Sequence, residues 1–183
     1  MGSIIKVNEY KDFNNNAILT SDGAGVVTIN AAALKNTPIF KAEISSTQSL
    51  SNATTTLVAF NSVIVDTASA YTNSAGNYKW TVPSGQAGKY YVYARLINRD
   101  TSNAMYDTKT YIYKNGASFA TAPMNTNVSS NYFRERPEQI CEIMDLSVDD
   151  YIQIYVYQSN GSGNELENSS VSNHTFTIFR LIE

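Results

Sequence analysis

One histidine and one cysteine limit the chemistry open to this chain. His174 lies between Asn173 and Thr175 in a polar, strand-forming run, and Cys141 lies next to Ile140 and close to Ile143. A Cys-His nucleophile pair requires the fold to join these two residues. Their neighbours instead indicate a small buried hydrophobe at Cys141 and a structural or surface role for His174. A single cysteine allows no internal disulfide, and a single histidine allows no His-rich metal site. The clustered carboxylates are Glu135, Glu138, Glu142, Asp145, Asp149 and Asp150, interleaved with Arg134 and Arg136. A glycosidase acid-base pair could sit among them, but the spacing is not diagnostic and charges on a loop or strand edge explain them as well. Asp149 with Asp150, and Asp100 with Asp107 around a polar loop, are calcium candidates without EF-hand spacing. Asp22-Gly23-Ala24-Gly25 and Asn160-Gly161-Ser162-Gly163-Asn164 precede no helix and no Lys-Ser/Thr pair, so they read as turns and not as phosphate cradles. The expectation is a non-enzymatic chain with no catalytic residue and no cofactor.

With 13 basic and 16 acidic residues in 183, the net charge of -3 is a poor match for nucleic acid or an anionic membrane surface. The longest apolar stretches, such as Val63-Ile64-Val65, fall far short of the roughly 18 to 20 residues that cross a bilayer, so no membrane insertion is expected. The opening Met-Gly-Ser-Ile-Ile-Lys has neither an apolar secretory core nor the Ser or Thr of a myristoylation signal.

The elements that would position any site are strands. The chain holds 13 Tyr, 20 Asn, 20 Ser and 17 Thr but few charged helix formers, a composition suited to strands and polar turns. From Pro38 onward strand-forming runs recur: Ile39 to Ser45, Thr55 to Phe60, Asn77 to Val82, Lys89 to Ile97, Asp107 to Lys114, Gln139 to Leu146, Tyr151 to Gln158 and Asn173 to Ile182. This predicts an all-β antiparallel sandwich. Residues 136 to 150 are the best helical alternative, but Pro137 and Ser147 favour a strand there.

Two strands alternate informatively. In Tyr151 to Tyr157, Ile152, Ile154 and Val156 share one face while Tyr151, Tyr155 and Tyr157 share the other. Lys89 to Leu96 repeats the pattern, with Tyr91, Tyr93 and Arg95 on the second face. A monomeric sandwich needs one apolar face per sheet, so these tyrosines predict a self-association surface, although tyrosine also tolerates exposed strand positions.

Residues 1–37 read as an arm. Ala17-Ile18-Leu19-Thr20 and Val26-Val27-Thr28-Ile29 flank the turn residues Ser21-Asp22-Gly23-Ala24-Gly25. So short a hairpin is marginal alone. Ile4, Val7, Ile18, Leu19, Val26, Val27 and Ile29 are the expected attachment residues, a disordered leader being the other reading. Polar loops holding Tyr71, Tyr106, Tyr132 and Phe133, within Thr67 to Asn77, Asn98 to Tyr106 and Ala117 to Arg134, together with Ser159 to Ser172, are candidate receptor-facing segments.

An ordered series of local matches follows. Phe40-Lys41-Ala42, Asn77 to Pro83, Gly88 to Ala94, Tyr111 to Gly116 with its Lys-Asn-Gly end, Leu146 to Ile152 and His174 to Ile182 together resemble the C1q-like jelly roll of the tumour necrosis factor superfamily. Asp149 stands where that pattern has Gly, and Ile178 lies where Gly is common. The resemblance implies a homotrimeric head over residues 38–183. It also implies that the strands at Lys89 to Ile97 and Tyr151 to Gln158 lie in one inner sheet around a threefold axis. The interface would then comprise Tyr91, Tyr93, Arg95, Tyr151, Tyr155 and Tyr157. The arm's Ile-x-Lys-Val-Asn-Glu and Ile-Leu-Thr-Ser-Asp-Gly-Ala-Gly-Val-Val-Thr resemble amino-terminal segments of tailed-bacteriophage structural proteins, especially marine and cyanobacterial ones. Together they imply a virion fibre, tail-tip or capsid-decoration protein assembled in the host cytoplasm. Its arm would contact another virion protein and its head a host-surface glycan or receptor. A cellular C1q-like carbohydrate-binding or adhesion module is the alternative, and a glycan-degrading enzyme the third reading.

Overall fold

The computed structural model describes residues 8–30, 38–101, 105, 107–125, 134–161, 163–168 and 174–181. These contain strands and turns but no helix. The chain divides into an amino-terminal unit and a unit spanning Pro38–Leu181.

In the amino-terminal unit β1 (Glu9–Lys11), β2 (Ala17–Ser21) and β3 (Val27–Ile29) form an antiparallel sheet with β2 central. Asp12 shapes the β1–β2 turn by accepting hydrogen bonds from the Asn14 and Asn16 amides, both at 2.9 Å. Asp22 does the same for the second turn, accepting from the Ala24 amide at 2.7 Å. The hairpin expected over residues 17–30 is therefore formed, and β1 adds a third strand.

The head is an antiparallel two-sheet sandwich, as the spacing of strand-forming runs predicts. Its first sheet is organised around the long β10 (Gly88–Asp100). Along one edge β10 pairs with β13 (Glu135–Leu146) over its whole length. Along the other edge it pairs first with β16 (Thr175–Arg180) and then with the short β15 (Asn164–Leu166). Outside these lie β4 (Ile39–Glu43), β7 (Ser62–Asp66) and β5 (Gln48–Leu50). The second sheet is organised around β14 (Tyr151–Gln158), with β11 (Asp107–Lys114) and then β12 (Ala117–Asn125) on one side. On the other side are β6 (Thr54–Leu57), β9 (Lys79–Thr81) and β8 (Tyr71–Thr72).

The period of two decides what fills the space between the sheets. Val92, Ala94, Leu96 and Ile178 point inward from the first sheet and meet Ile112, Ile152, Ile154 and Val156 from the second. Phe40 anchors one end, its ring centroid 4.5 Å from Tyr71 and 5.2 Å from Phe176, while Trp80 packs 5.3 Å from Tyr90 at another position. Ile178 continues β16 in unbroken register with Val92 and Phe40, so no bulge replaces the expected glycine. Asp149 keeps the left-handed backbone a glycine would adopt, at φ 68°. Asn115 and Gly116, at φ 53° and 80°, make the tight turn from β11 to β12.

Two expectations are corrected here. β10 and β14 lie in different sheets, so one inner sheet does not contain both. Residues 117–125, expected as part of a polar loop, form β12, whose register with β11 is set by the Asn-Gly turn.

Candidate functional site

The potential catalytic groups are dispersed by strand geometry. His174 is buried and faces inward: its Nδ1 accepts from the Ile97 amide at 3.3 Å and its Nε2 lies 2.8 Å from the Glu167 carbonyl, which fixes the proton on Nε2. Burial pushes its pKa below the ordinary value. Cys141 is exposed on the outer face of β13, opposite Tyr93, so the reading as a buried hydrophobe is corrected. The two side chains lie on opposite faces of one sheet.

The carboxylates separate for the same reason. Glu135 points outward from β13, while Glu138 points between the sheets and is 6% exposed. There it accepts hydrogen bonds from Thr108, from Thr110 at 2.7 Å and from Asn98 Nδ2 at 3.0 Å. Burial raises its pKa, opposed by those three donors. Glu142 shares the inward parity four residues on, roughly 13 Å away along an extended strand and so beyond the spacing of a glycosidase pair. Glu138 is thus a buried polar clamp between sheets and not the edge decoration its neighbours indicated. Asp150 is committed too. It accepts from Asn115 Nδ2 at 2.6 Å and the Ser147 amide at 2.8 Å, and pairs with Lys114 at 2.8 Å, the lysine contact holding its pKa down. With both oxygens so engaged, the Asp149–Asp150 calcium candidate is not assembled, and no group of three or more metal-ligating residues occurs among the described residues.

What remains exposed and organised are three surfaces. On the outer face of the first sheet, Ile143, Tyr91, Phe179 and Ile39 stand in one cross-strand row over β13, β10, β16 and β4. Ile143 is 62% exposed, the Tyr91 and Phe179 rings lie 5.1 Å apart, and Tyr91, Cys141, Glu142 and Ile143 line a shallow concavity. Tyr93 and Arg95 continue this face, and Val63, Ile64 and Val65 of β7 add exposed apolar area. The second surface is the outer face of the other sheet, with Tyr151, Tyr155 and Tyr157 on β14 beside Tyr111 and Tyr113 on β11. The tyrosines expected to share one interface therefore lie on opposite sides of the sandwich, because alternation tells which side of its own sheet a residue faces but not which sheet that is. Ile143, Phe179 and Ile39 were missed because single apolar residues on half-polar strands give no signal without register. Tyr111 and Tyr113 were legible in Tyr111-Ile112-Tyr113, the same period of two.

The third surface belongs to the arm. Tyr10, Leu19 and Ile29 oppose one another across its three strands, and Val27 lies on the same face. All four are exposed, as is Val26, while Ile18 is half-buried; Ile4 and Val7 lie outside the described residues. Of the loop aromatics, Tyr71 belongs to β8 and the core: its hydroxyl donates to the Phe60 carbonyl at 3.0 Å and burial pushes its pKa up. It is thus not receptor-facing. Tyr106, Tyr132 and Phe133 lie outside the described residues.

No family model matches the chain, and no curated protein matches it. Solved structures do. The globular domain of zebrafish complement 1qA protein is 12% identical with a TM-score of 0.56, over 79% of this chain and 98% of that one. Murine APRIL at pH 5.0 is 11% identical with a TM-score of 0.57, over 78% of this chain and 98% of the other. The likeness extends over nearly the whole of each neighbour and shows the fold: a C1q/TNF-like jelly roll.

Proposed function

We propose that this chain is a non-enzymatic, homotrimeric virion protein of a tailed phage, whose heads pack through the outer face of the first sheet and whose arm anchors them to the particle. The observation that carries the self-association is the Ile143–Tyr91–Phe179–Ile39 row, four large side chains in register across four strands of the outer face, Ile143 exposed and the other three half-buried. Such a contiguous exposed patch on a soluble head marks a contact surface. The interface on this reading is Tyr91, Tyr93, Arg95, Ile143, Phe179 and Ile39, without Tyr151, Tyr155 and Tyr157. The C1q/TNF-like fold supports this assembly mode. For the arm, the exposed apolar face that Tyr10, Leu19, Val27 and Ile29 form on its three-strand sheet suits burial against a partner. The virion identity rests on the arm's sequence resemblance.

Light scattering on the full chain tests the head: a trimer is expected at micromolar concentration, and Ile143→Glu, which adds a charge to the row, is expected to yield monomers with unchanged circular dichroism. A monodisperse monomer of the unaltered chain refutes the assembly. The fold likeness equally fits a cellular C1q-like adhesion module. Deletion of residues 1–36 separates the two, since loss of particle incorporation with intact head oligomers is expected only of a virion protein.

A further inference from the structure

The outer face of the second sheet is not used by the assembly above, yet it carries an ordered row of tyrosines. Tyr155 stands beside Tyr111 and Tyr157 beside Lys109 in the β14–β11 register. The Tyr113 and Tyr155 rings lie 4.3 Å apart at 35°, and Tyr111 meets Tyr113 edge-on at 5.9 Å. Lys79 Nζ sits 4.8 Å from the centroid of Tyr151, and Lys109 Nζ the same distance from that of Tyr157. Neither lysine forms an ion pair among the described residues, whereas Lys11, Lys41, Arg99 and Lys114 all do. Of the carboxylates at the margins of this face, Asp150 is taken by Lys114, and Asp107, two residues before Lys109 on the same side of β11, forms no ion pair with it. The tyrosine hydroxyls make no hydrogen bond to described residues. Burial pushes the Tyr111 and Tyr155 phenols up, so both remain donors at neutral pH.

This combination selects a ligand class. Tyr151 and Tyr157 are six residues apart on an extended strand, so the two cations mark the ends of a strip about 20 Å long. Between them lie aromatic rings and free hydroxyls, with Thr55 of β6 alongside. Ring faces suit the C–H faces of sugars, hydroxyls suit sugar hydroxyls, and the two cations suit anionic groups carried on the same chain. Nucleic acid fits poorly, since its binding rests on many cations laid along the phosphate backbone and this strip offers two. We propose that the Tyr151–Tyr155–Tyr157 strip of β14, with Tyr111, Lys79 and Lys109, binds an anionic polysaccharide lying along the strand. Its carboxylates or sulfates meet the two ammonium groups. Of the preceding reading this requires only that the second sheet stay uncovered in the assembly.

Affinity electrophoresis of the full chain through gels containing alginate, dextran sulfate or neutral dextran tests the site, with single-stranded DNA in a parallel mobility-shift assay. Retardation by alginate or by dextran sulfate, and not by dextran, is expected; which of the two acts identifies carboxylate or sulfate as the anionic group. Lys79→Gln and Lys109→Gln, both at the surface, should each weaken binding roughly tenfold, the effect of one lost charge-assisted hydrogen bond. Tyr155→Phe, which keeps the ring, should weaken it severalfold with an unchanged melting curve. Equal retardation by dextran, DNA binding as strong as glycan binding, no retardation at all, or variants that migrate like the parent each overturn the assignment. Light scattering on the same samples keeps the two readings apart. A monomer that binds alginate sinks the trimer alone, and a trimer that binds no glycan sinks this site alone.

Discussion

Glu138 offers the sharpest test of how the sandwich is held together. It projects from β13 of the first sheet, and its carboxylate is bound by Thr108 and Thr110 of β11 in the second and by Asn98 of β10. Replacing it with Leu removes the acceptor of all three donors. The threonine hydroxyls can rotate elsewhere, but Asn98, whose Oδ1 already lacks a partner, would be left wholly unpaired. Lost hydrogen bonds to a charged acceptor are worth about 1.5 to 3 kcal/mol each, and relief from burying the carboxylate returns several kcal/mol, so the net cost is about 3 kcal/mol. With a slope of roughly 2 kcal/mol per molar urea, the unfolding midpoint should fall by about 1 to 2 M. Glu138→Gln behaves differently. Its oxygen can still accept from Asn98 and Thr108, and its amide can donate to Thr110. The native pKa is raised by burial, so the folded state holds the proton more tightly than the unfolded one. The ionised carboxylate therefore costs stability above the raised native pKa. That cost is relieved as pH falls through it and is gone below the ordinary glutamate value. The advantage of Gln over Glu should thus be small at acid pH and widen toward pH 7.5. Urea titrations at fixed protein concentration measure both effects, because self-association would otherwise move the midpoint. A Leu variant as stable as the parent, or a Gln-minus-parent difference that does not grow with pH, refutes the clamp.

His174 should act in the opposite sense. Burial lowers its native pKa, so its stabilising contribution is complete above the ordinary histidine value near 6.5 and is lost as pH falls through the lowered one. The parent's melting temperature should therefore fall on acidification more than that of His174→Gln, and parallel curves would argue against it. At Asp149, held at φ 68°, glycine removes a side-chain clash without removing the amide's 3.1 Å hydrogen bond to the Val82 carbonyl. Asp149→Gly should gain roughly 0.5 to 1 kcal/mol in urea unfolding, and a loss would show that the aspartate stabilises the turn by means beyond backbone geometry.

Strands in which an apolar face alternates with a polar or tyrosine face were legible at their positions. Asp107–Lys114 and Tyr151–Gln158 match the expected runs end to end, and β10 extends its run by one residue at the start and three at the end. The strands that escaped are short or lack contrast. Gln48–Leu50, Tyr71–Thr72 and Asn164–Leu166 contain two or three residues, too few for a period to appear. Ala117–Asn125 is composed of small and polar residues at a sheet edge, so it reads as a loop until the Asn115-Gly116 turn folds it against β11. Glu138 and Cys141 were misread for one reason: neighbouring residues do not reveal parity unless the strand's register is known. Three positions apart, they point to opposite sides of β13, and each takes the environment that had been assigned to the other.

The same limit bears on what the tyrosines mean. Alternation shows that two strands carry tyrosine on a second face, and it predicts one interface for both. Sheet membership turns this into two surfaces of different chemistry. The first-sheet face mixes Tyr91 with Ile143, Phe179 and Ile39, and apolar side chains of that kind are satisfied by another protein's packed surface. The second-sheet face is mainly aromatic, with Leu57 and Pro123 beside the tyrosines and Phe119 on its edge strand; its rings pack on one another, and among the described residues its two lysines form no ion pair and its tyrosine hydroxyls no hydrogen bond. Burial of that face against a second copy would strand Lys79 and Lys109, which have no ion-pair partner among the described residues, away from water, at a cost of several kcal/mol per ion. Physical chemistry therefore divides the roles: the aliphatic face suits self-association, and the cationic tyrosine face suits a hydrated, anionic ligand that supplies the missing charge.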